Sequence, residues 1–194
     1  GKEGQVHLHT EWRDVTTAFN ATKNIVELAQ KTQHKVHVLH ITTQQEMEFL
    51  KTHKEFCTVE CTPQHLTLAA PLCYEQLGTL AQMNPPIRTE EHRQALWQGI
   101  ADGTVDIIGS DHAPHTLEEK NKPYPLSPSG MTGVQTILPI MLDHVSHGKL
   151  SIRKLVQLMR INPVKIFNLK NKGPIEVGLD ADLTIVDLEK KHTI

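Results

Sequence analysis

A carboxylate and two imidazoles follow a short apolar stretch in the middle of this sequence. Residues 105–109 are mostly apolar and predict a buried strand, and Asp111, His112 and His115 come directly after it. In α/β barrels the residues that carry chemistry gather where buried strands end. An acid and imidazoles at such a point can bind a metal ion and transfer protons, which are the two requirements of metal-dependent hydrolysis.

Two further candidate ligands follow two earlier apolar stretches. His40 lies near the end of residues 36–41, and His65 comes shortly after residues 56–61. His40, His65 and Asp111 are 25 and 46 residues apart, so they can meet only if the predicted strands lie side by side. Nitrogen and oxygen ligands with one open position are typical of catalytic zinc. The alternative is two hydrogen-bonded buried histidines and an acid that caps a helix or lies on the surface.

Helices are predicted between and after these strands. Periodic or capped segments predict them over residues 15–32, 43–54, 89–101, 133–145, 151–159 and 162–167. The segments 62–88 and 116–130 are rich in proline and have no helical periodicity, which predicts irregular structure. Strands that alternate with helices predict an α/β fold with a parallel sheet and ligands at the carboxyl ends of its strands.

The composition is typical of a globular protein that binds neither nucleic acid nor membrane. The chain has 194 residues, 38% of them hydrophobic, and a formal net charge of −2 without a basic block. Its apolar runs are shorter than the ~20 residues that span a bilayer, and its first residues lack a signal-peptide pattern. Cys57, Cys61 and Cys73 match no zinc motif, so we expect buried, reduced thiols in a cytoplasmic protein.

Five groups of residues resemble the dihydroorotases of the amidohydrolase superfamily. They occur in the family's order, at residues 38–43, 62–66, 83–88, 110–116 and 173–187. The resemblance implies a TIM-type (β/α)8 barrel of the metal-dependent hydrolase type. Such a barrel typically needs ~250 residues, so we expect residues 1–170 to form the C-terminal part of one. Residues 171–194, with a predicted strand over 181–187, are expected to begin a small β-sandwich domain.

The resemblance also implies a binuclear zinc site. His40 and His65 match the two histidines that bind the more buried ion, and Asp111 matches the aspartate that binds the other ion and transfers the proton. The implied reaction is the reversible interconversion of dihydroorotate and N-carbamoyl-L-aspartate in pyrimidine biosynthesis. A metal supports this hydrolysis at neutral pH because it lowers the pKa of bound water from 15.7 to about 7.

Substrate-binding roles follow from the same resemblance. Asn84 and His115 match residues that bind the substrate, and Gly130 lies in the loop that contacts dihydroorotate through its backbone. Arg88 matches either a substrate residue or one that holds the rim of the barrel through an ion pair. Gln135 stands where many relatives carry glutamate, a departure that affects the support of the site more than its chemistry.

His7 and His9 resemble the His-x-His pair that the superfamily carries on its first strand. Only 31 residues separate His9 from His40, too few for the βα units that should intervene, so we expect His9 and Arg13 in a loop at the barrel mouth. The first-strand pair and the bridging carboxylated lysine or aspartate are then expected outside this chain. We interpret the chain as a fragment that is inactive alone and whose residues 192–194 fall within the β domain.

Three alternatives stay open at this point. The chain can belong to another cyclic amidohydrolase, such as a hydantoinase, a dihydropyrimidinase or an allantoinase, although Asn84, Arg88 and residues 111–115 favour dihydroorotase. It can also be a non-catalytic dihydroorotase-like partner of aspartate carbamoyltransferase, although the retained metal-ligand candidates argue against this. The third alternative is a self-contained α/β domain. A homodimer is compatible with either of the first two.

Overall fold

A parallel sheet of three strands forms the centre of the computed structural model, which describes residues 3–191. The strands are β1 (Val36–Val38), β2 (Cys57–Cys61) and β3 (Ile107–Ile108). Strand β2 lies between the other two and is parallel to both, with Val36 opposite Cys57 and Glu60 opposite Ile107. The predicted α/β arrangement is therefore present, and the carboxyl ends of all three strands meet at one edge.

Helices precede, connect and follow the strands. The α-helices of the described residues are α1 (His9–Trp12), α2 (Val15–Thr32), α3 (Gln44–Lys51), α4 (Pro63–Thr67), α5 (Leu72–Leu77), α6 (Glu90–Asp102), α7 (Leu117–Lys120), α8 (Ile137–Ser146), α9 (Ile152–Val156) and α10 (Asn162–Ile166). Short 3-10 helices cover Val6–Leu8 and Gly78–Ala81, and a π-helical turn, Gln157–Ile161, joins α9 to α10. Because α3 joins β1 to β2 and α6 lies between β2 and β3, the sheet consists of βαβ units.

Polar side chains fix where several helices begin. The Asp14 carboxylate accepts the N–H of Thr17 at 2.6 Å at the start of α2, as its position in the sequence predicts. Thr43 and Glu46 form a reciprocal capping box at the start of α3. Ser151 caps α9 by accepting the N–H of residue 154. The helical segments around these caps were therefore predictable from the sequence.

Alternate residues of β2 pack into the main core. Cys57, Val59 and Cys61 are at most 1% exposed and contact apolar residues of the surrounding helices. Among these are Leu50, Leu66, Leu96, Ile100, Met141 and Leu158. Burying such a side chain stabilises the fold by about 1.5–3 kcal/mol. The cysteines of the described residues are free and buried, which confirms their predicted role as small apolar groups.

A second apolar cluster supports the segment around residues 81–88. Tyr74, Met83, Ile87 and Tyr124 are at most 4% exposed and pack together with Val6. The Tyr74 hydroxyl also accepts the N–H of Ile87 at 3.1 Å. This cluster joins the N-terminal residues to the loop that contains Tyr124, so three distant parts of the sequence share one small core.

The structure differs from the predicted boundaries in several places. Strand β1 is shorter than residues 36–41 because His40 has a left-handed backbone, with φ at 39°, which ends the extended conformation. Residues 116–130 are not wholly irregular, because Thr116 and Glu119 form a capping box that starts α7. Residues 62–88 likewise contain α4, α5 and a 3-10 helix.

The strand predicted over 181–187 is wrong for the described residues. Those residues have no regular secondary structure, and Ile185 is 98% exposed. A strand needs a neighbour for its backbone N–H and C=O groups, and the described residues 171–191 contain no other strand to supply one. The predicted division at residue 171 stays a prediction, and its last three residues, 192–194, lie outside the described residues. None of the described helices is long and apolar enough to cross a membrane.

Candidate active site

A cleft of about 970 Å³ opens beside the carboxyl edge of the sheet. Its walls come from residues 9–21, 82–88 and 124–129, together with His40. Of the predicted site residues, His40 and Asn84 line this cleft directly. Asp111, His115 and Gly130 lie outside its lining, on the segment that follows β3.

His40 and Asp111 share an unusual backbone conformation. His40 follows β1 with φ at 39°, and Asp111 follows β3 with φ at 43°. A residue with a side chain pays a steric penalty there, and such strain is concentrated at functional sites. The other non-glycine residues with positive φ in residues 3–191 are Gln33, Asn168 and Asn171. Gln33 caps the end of α2, and asparagine tolerates this conformation, so His40 and Asp111 need another explanation.

The side chains of His40 and Asp111 are half-buried and have no hydrogen-bond partner within the part of the chain that the structure describes. An imidazole nitrogen and a carboxylate oxygen are the donor types that zinc accepts. The chemistry of this pair therefore fits a metal ion. A four-coordinate metal needs further ligands in addition to these two side chains.

His65 has a different environment, in which both ring nitrogens are engaged. Thr62 Oγ1 lies 2.7 Å from Nδ1, and the carbonyl oxygen of Pro85 lies 2.9 Å from Nε2. Since a carbonyl only accepts, Nε2 carries the hydrogen and Nδ1 accepts from the Thr62 hydroxyl. Complete burial lowers the pKa of His65 to about 4, with a smaller contribution from His40. His65 is therefore a neutral, hydrogen-bonded buried histidine in this structure.

The three predicted ligands do not form one metal-binding cluster. Across residues 3–191, no group of three or more His, Cys, Asp or Glu side chains is arranged to hold a metal ion. Binding through His65 Nε2 would require breaking its bond to Pro85. The assignment of His65 as a ligand stays a prediction without geometric support, whereas His40 and Asp111 have uncommitted donor atoms.

Asn84 is exposed in the cleft and is held by a histidine from the start of the chain. His9 Nε2 lies 3.0 Å from Asn84 Oδ1 and 3.0 Å from the Met83 carbonyl oxygen. The Tyr124 hydroxyl lies 3.2 Å from the other ring nitrogen of His9. His9 is only 3% exposed, and this burial lowers its pKa. With both nitrogens engaged, His9 belongs to the wall of the cleft, where Arg13 also lies.

His115 and Gly130 lie next to each other beyond the cleft. A Cβ atom at Gly130 would be 3.1 Å from His115 Nε2 and 2.6 Å from the carbonyl oxygen of Ala113. The Gly130 N–H already donates to the Gln82 carbonyl at 3.0 Å, and its own carbonyl accepts from Lys120 Nζ at 2.9 Å. A substrate contact through the Gly130 backbone is therefore limited to the second lone pair of its carbonyl oxygen.

Arg88 binds several backbone carbonyl oxygens at the rim of the cleft. Its guanidinium donates to the carbonyl oxygens of Arg13 at 2.6 Å, Thr10 at 3.3 Å and Asp14 at 3.4 Å. It also donates to Thr42 Oγ1 at 3.4 Å. Of the two roles that the sequence left open, these bonds favour the one at the rim, although they go to neutral oxygens and hold the turn between α1 and α2.

Sequence reasoning missed Lys120 and Tyr124 and assigned His9 only to a loop. Lys120 is 5% exposed, and its ammonium group donates to the carbonyls of Gln82, Pro128 and Gly130. Nothing around Lys120 in the sequence distinguishes it from a surface lysine. Tyr124 was the more detectable of the two, because an aromatic residue among prolines in a polar loop suggests an anchored position.

A family model described as the amidohydrolase family matches residues 2–194. The chain belongs to the amidohydrolase family. This amidohydrolase is 40% identical to the dihydroorotase of Elusimicrobium minutum over 97% of its own length and 45% of the relative's. It is 40% identical to the dihydroorotase of Bacillus subtilis, with 87% of this chain and 40% of the relative covered. The chain thus spans less than half the length of these curated relatives.

Solved structures of hydantoinases share the fold of this amidohydrolase. An L-hydantoinase (dihydropyrimidinase) from Arthrobacter aurescens is 30% identical, with a TM-score of 0.80 over 84% of this chain and 38% of that structure. A D-hydantoinase at 24% identity has a TM-score of 0.83, with 91% and 41% covered. The identity to that D-hydantoinase supports the fold alone. The chain corresponds to about two fifths of each structure.

Proposed function

We propose that the whole protein containing this sequence is a metal-dependent dihydroorotase, which interconverts dihydroorotate and N-carbamoyl-L-aspartate. The observation that carries the proposal is the pair His40 and Asp111. Both follow strands at the same edge of the sheet, both have left-handed backbones, and both have uncommitted donor atoms among the described residues. The similarity to curated dihydroorotases supports this substrate over those of other amidohydrolases.

We further propose that β1, β2 and β3 are neighbouring strands of a (β/α)8 barrel and that residues 171–194 begin a second, β-rich domain. The parallel order of the strands and the fold shared with hydantoinases support the barrel. A complete barrel typically uses ~250 residues, so its remaining strands and metal ligands are assigned to parts of the relatives that this chain does not span.

In the proposed mechanism, His40 would bind one ion of a binuclear metal site and Asp111 would bind the other, and zinc is the best match to their donor atoms. When bound, such an ion lowers the pKa of water and polarises the ring carbonyl of the substrate. The Asp111 carboxylate takes the proton of the attacking water and donates it to the departing ring nitrogen. Asn84 and His115 bind the substrate. His65 is the predicted second ligand of the ion that His40 binds, and in this structure its Nε2 donates to the Pro85 carbonyl, beside Asn84.

The test compares site variants with matched surface variants in the longest natural polypeptide that contains this sequence. Asp111→Asn and His40→Asn are each paired with an exposed control near the end of α8, Asp143→Asn and His147→Asn. We expect Asp111→Asn to lower kcat by at least about 100-fold, because proton transfer by a positioned side chain contributes 10²–10⁴-fold. Bound zinc per chain should fall for His40→Asn and stay unchanged for both controls.

Substrate selectivity distinguishes the alternatives. We expect hydrolysis of dihydroorotate and little turnover of dihydrouracil, hydantoin or allantoin. Turnover of one of these three in place of dihydroorotate would replace the proposal with another cyclic amidohydrolase. A polypeptide that binds no metal and hydrolyses none of the four would instead be a non-catalytic member of the family, such as a structural partner of aspartate carbamoyltransferase.

A further inference from the structure

His9 fixes the orientation of the Asn84 side chain. The Met83 carbonyl lies 3.0 Å from His9 Nε2 and only accepts, so this nitrogen must carry a hydrogen. The Asn84 atom that faces the same N–H at 3.0 Å must then be the acceptor Oδ1 and not the amide nitrogen. The hydrogen bond therefore determines which end of the amide turns away from His9.

The buried Tyr124 hydroxyl binds the His9 ring nitrogen that does not face Asn84. The Tyr124 hydroxyl is 3.2 Å from His9 Nδ1, and since Nε2 bears the hydrogen of the neutral ring, Nδ1 accepts from this hydroxyl. The two rings also meet edge to face, with centroids 5.5 Å apart. Tyr124 and His9 are each 3% exposed, so both rings are enclosed by the protein on nearly all sides. A buried, fully bonded network of this kind has a single orientation.

The amide nitrogen of Asn84 has no hydrogen-bond partner within residues 3–191, and the residue is exposed on the cleft wall. We propose that His9 is a positioning residue that aims the Asn84 amide N–H groups into the cleft, where they donate to a carbonyl or carboxylate oxygen of the substrate. The proposal rests on the proposed function in one respect, namely that Asn84 binds the substrate. It adds a residue from the start of the chain, 75 positions away.

A merely structural role for His9 is the competing explanation. Its bond to the Met83 carbonyl would by itself fasten the N-terminal segment to residues 82–84. Both roles predict a loss of stability when His9 is replaced, so stability does not separate them. They differ in whether the effect on substrate binding passes through the Asn84 side chain.

A double-mutant cycle in the whole polypeptide separates the two roles. His9→Leu removes the donor, His9→Gln retains an N–H donor, and Asn84→Ala removes the oriented amide. We expect His9→Leu to raise KM for dihydroorotate about five- to tenfold, which is the loss of affinity expected when one or two hydrogen bonds to the substrate are weakened. The change in kcat should be smaller than the change in KM. His9→Gln should restore part of the affinity. In the Asn84→Ala background, His9→Leu should have little further effect, because coupled residues are not additive.

An equally large effect of His9→Leu with and without Asn84 would overturn the proposal in favour of the structural role. So would His9→Leu leaving KM unchanged. A second measurement is independent of turnover: in a crystal structure of the His9→Leu protein, the Asn84 amide should lose its single orientation, and in His9→Gln it should keep it. An unchanged Asn84 in His9→Leu would refute the inference even if the protein proved to act on another substrate.

Discussion

Gly130 occupies a position that no other residue can take without moving the segment that carries Asp111 and His115. Its φ of 152° lies in a region that residues with side chains rarely adopt, and an added Cβ would be 2.6 Å from the Ala113 carbonyl oxygen and 2.7 Å from its Cβ. Gly148 is the matched control, because it also has a positive φ, 72°, but a Cβ there would meet nothing within 4 Å. Alanine at the two sites therefore separates backbone strain from steric overlap.

The expected magnitudes follow from these geometries. Gly148→Ala should lower the free energy of unfolding by about 1–2 kcal/mol, the cost of a left-handed residue with a side chain. Gly130→Ala should lower it by about 2–6 kcal/mol, because backbone strain of about 1–3 kcal/mol is joined by overpacking of similar size. Urea unfolding of both variants, followed by circular dichroism, measures the difference. In the whole polypeptide, Gly130→Ala should also lower kcat/KM for dihydroorotate, whereas Gly148→Ala should not.

Equal destabilisation of the two variants would contradict this prediction, because the overlap with Ala113 would then cost nothing. The prediction would also fail if Gly130→Ala kept full activity, since Asp111 and His115 would then tolerate displacement of the residue between them. Gly148→Ala controls for any general effect of adding a methyl group at a left-handed glycine.

Three further predictions concern the support of the site. Burial lowers the pKa of Lys120 from 10.5 to about 8. Between a pH of about 8 and 10.5 the lysine is therefore mostly protonated in the unfolded state and mostly neutral in the folded state. The unfolding free energy of the wild type should therefore rise relative to Lys120→Met as pH increases from about 8 towards 10.5, by up to about 3 kcal/mol, and pH-dependent denaturation checks this. A pH-independent difference would contradict it. Thr43→Ala should cost about 1–2 kcal/mol in urea unfolding through loss of the capping box at α3, while Thr43→Ser should cost less. Arg88→Met should accelerate amide hydrogen exchange at residues 10–18 beyond any change at α8, and equal acceleration at both places would indicate general destabilisation.

The helices and the sheet were predictable to the extent that their signals are local. Asp14 and the periodicity that follows it predict α2 closely, and alternating buried residues predict β2. The early end of β1 was not predictable, because it results from the backbone conformation of His40 and not from its residue type. The capping box at Thr116 was a local signal for α7, but the many prolines of residues 116–130 led to a prediction of irregular structure.

The site was predictable in its residue types but not in its contacts. His40 and Asp111 follow strand ends and Asn84 lines the cleft, while their roles in binding metal and substrate stay predictions. The bonds of His65 to Thr62 and Pro85 could not be foreseen, because a buried imidazole looks the same in a sequence whether it faces a metal or a carbonyl. His9 lies 75 residues from the asparagine that it contacts, and no local sequence pattern predicts a contact between residues so far apart in the chain.

The three carbonyls around the Lys120 ammonium bear on how a substrate enters. They come from Gln82, Pro128 and Gly130, and the Gln82 side chain in turn bonds Ser127 and Ser129. Opening residues 127–130 away from residue 82 would break these bonds together and leave the buried ammonium group with fewer acceptors. That wall of the cleft is therefore fastened to residue 82, and residues 9–14 are fastened in the same way by Arg88 and His9, so a substrate meets a cleft whose walls are already in place.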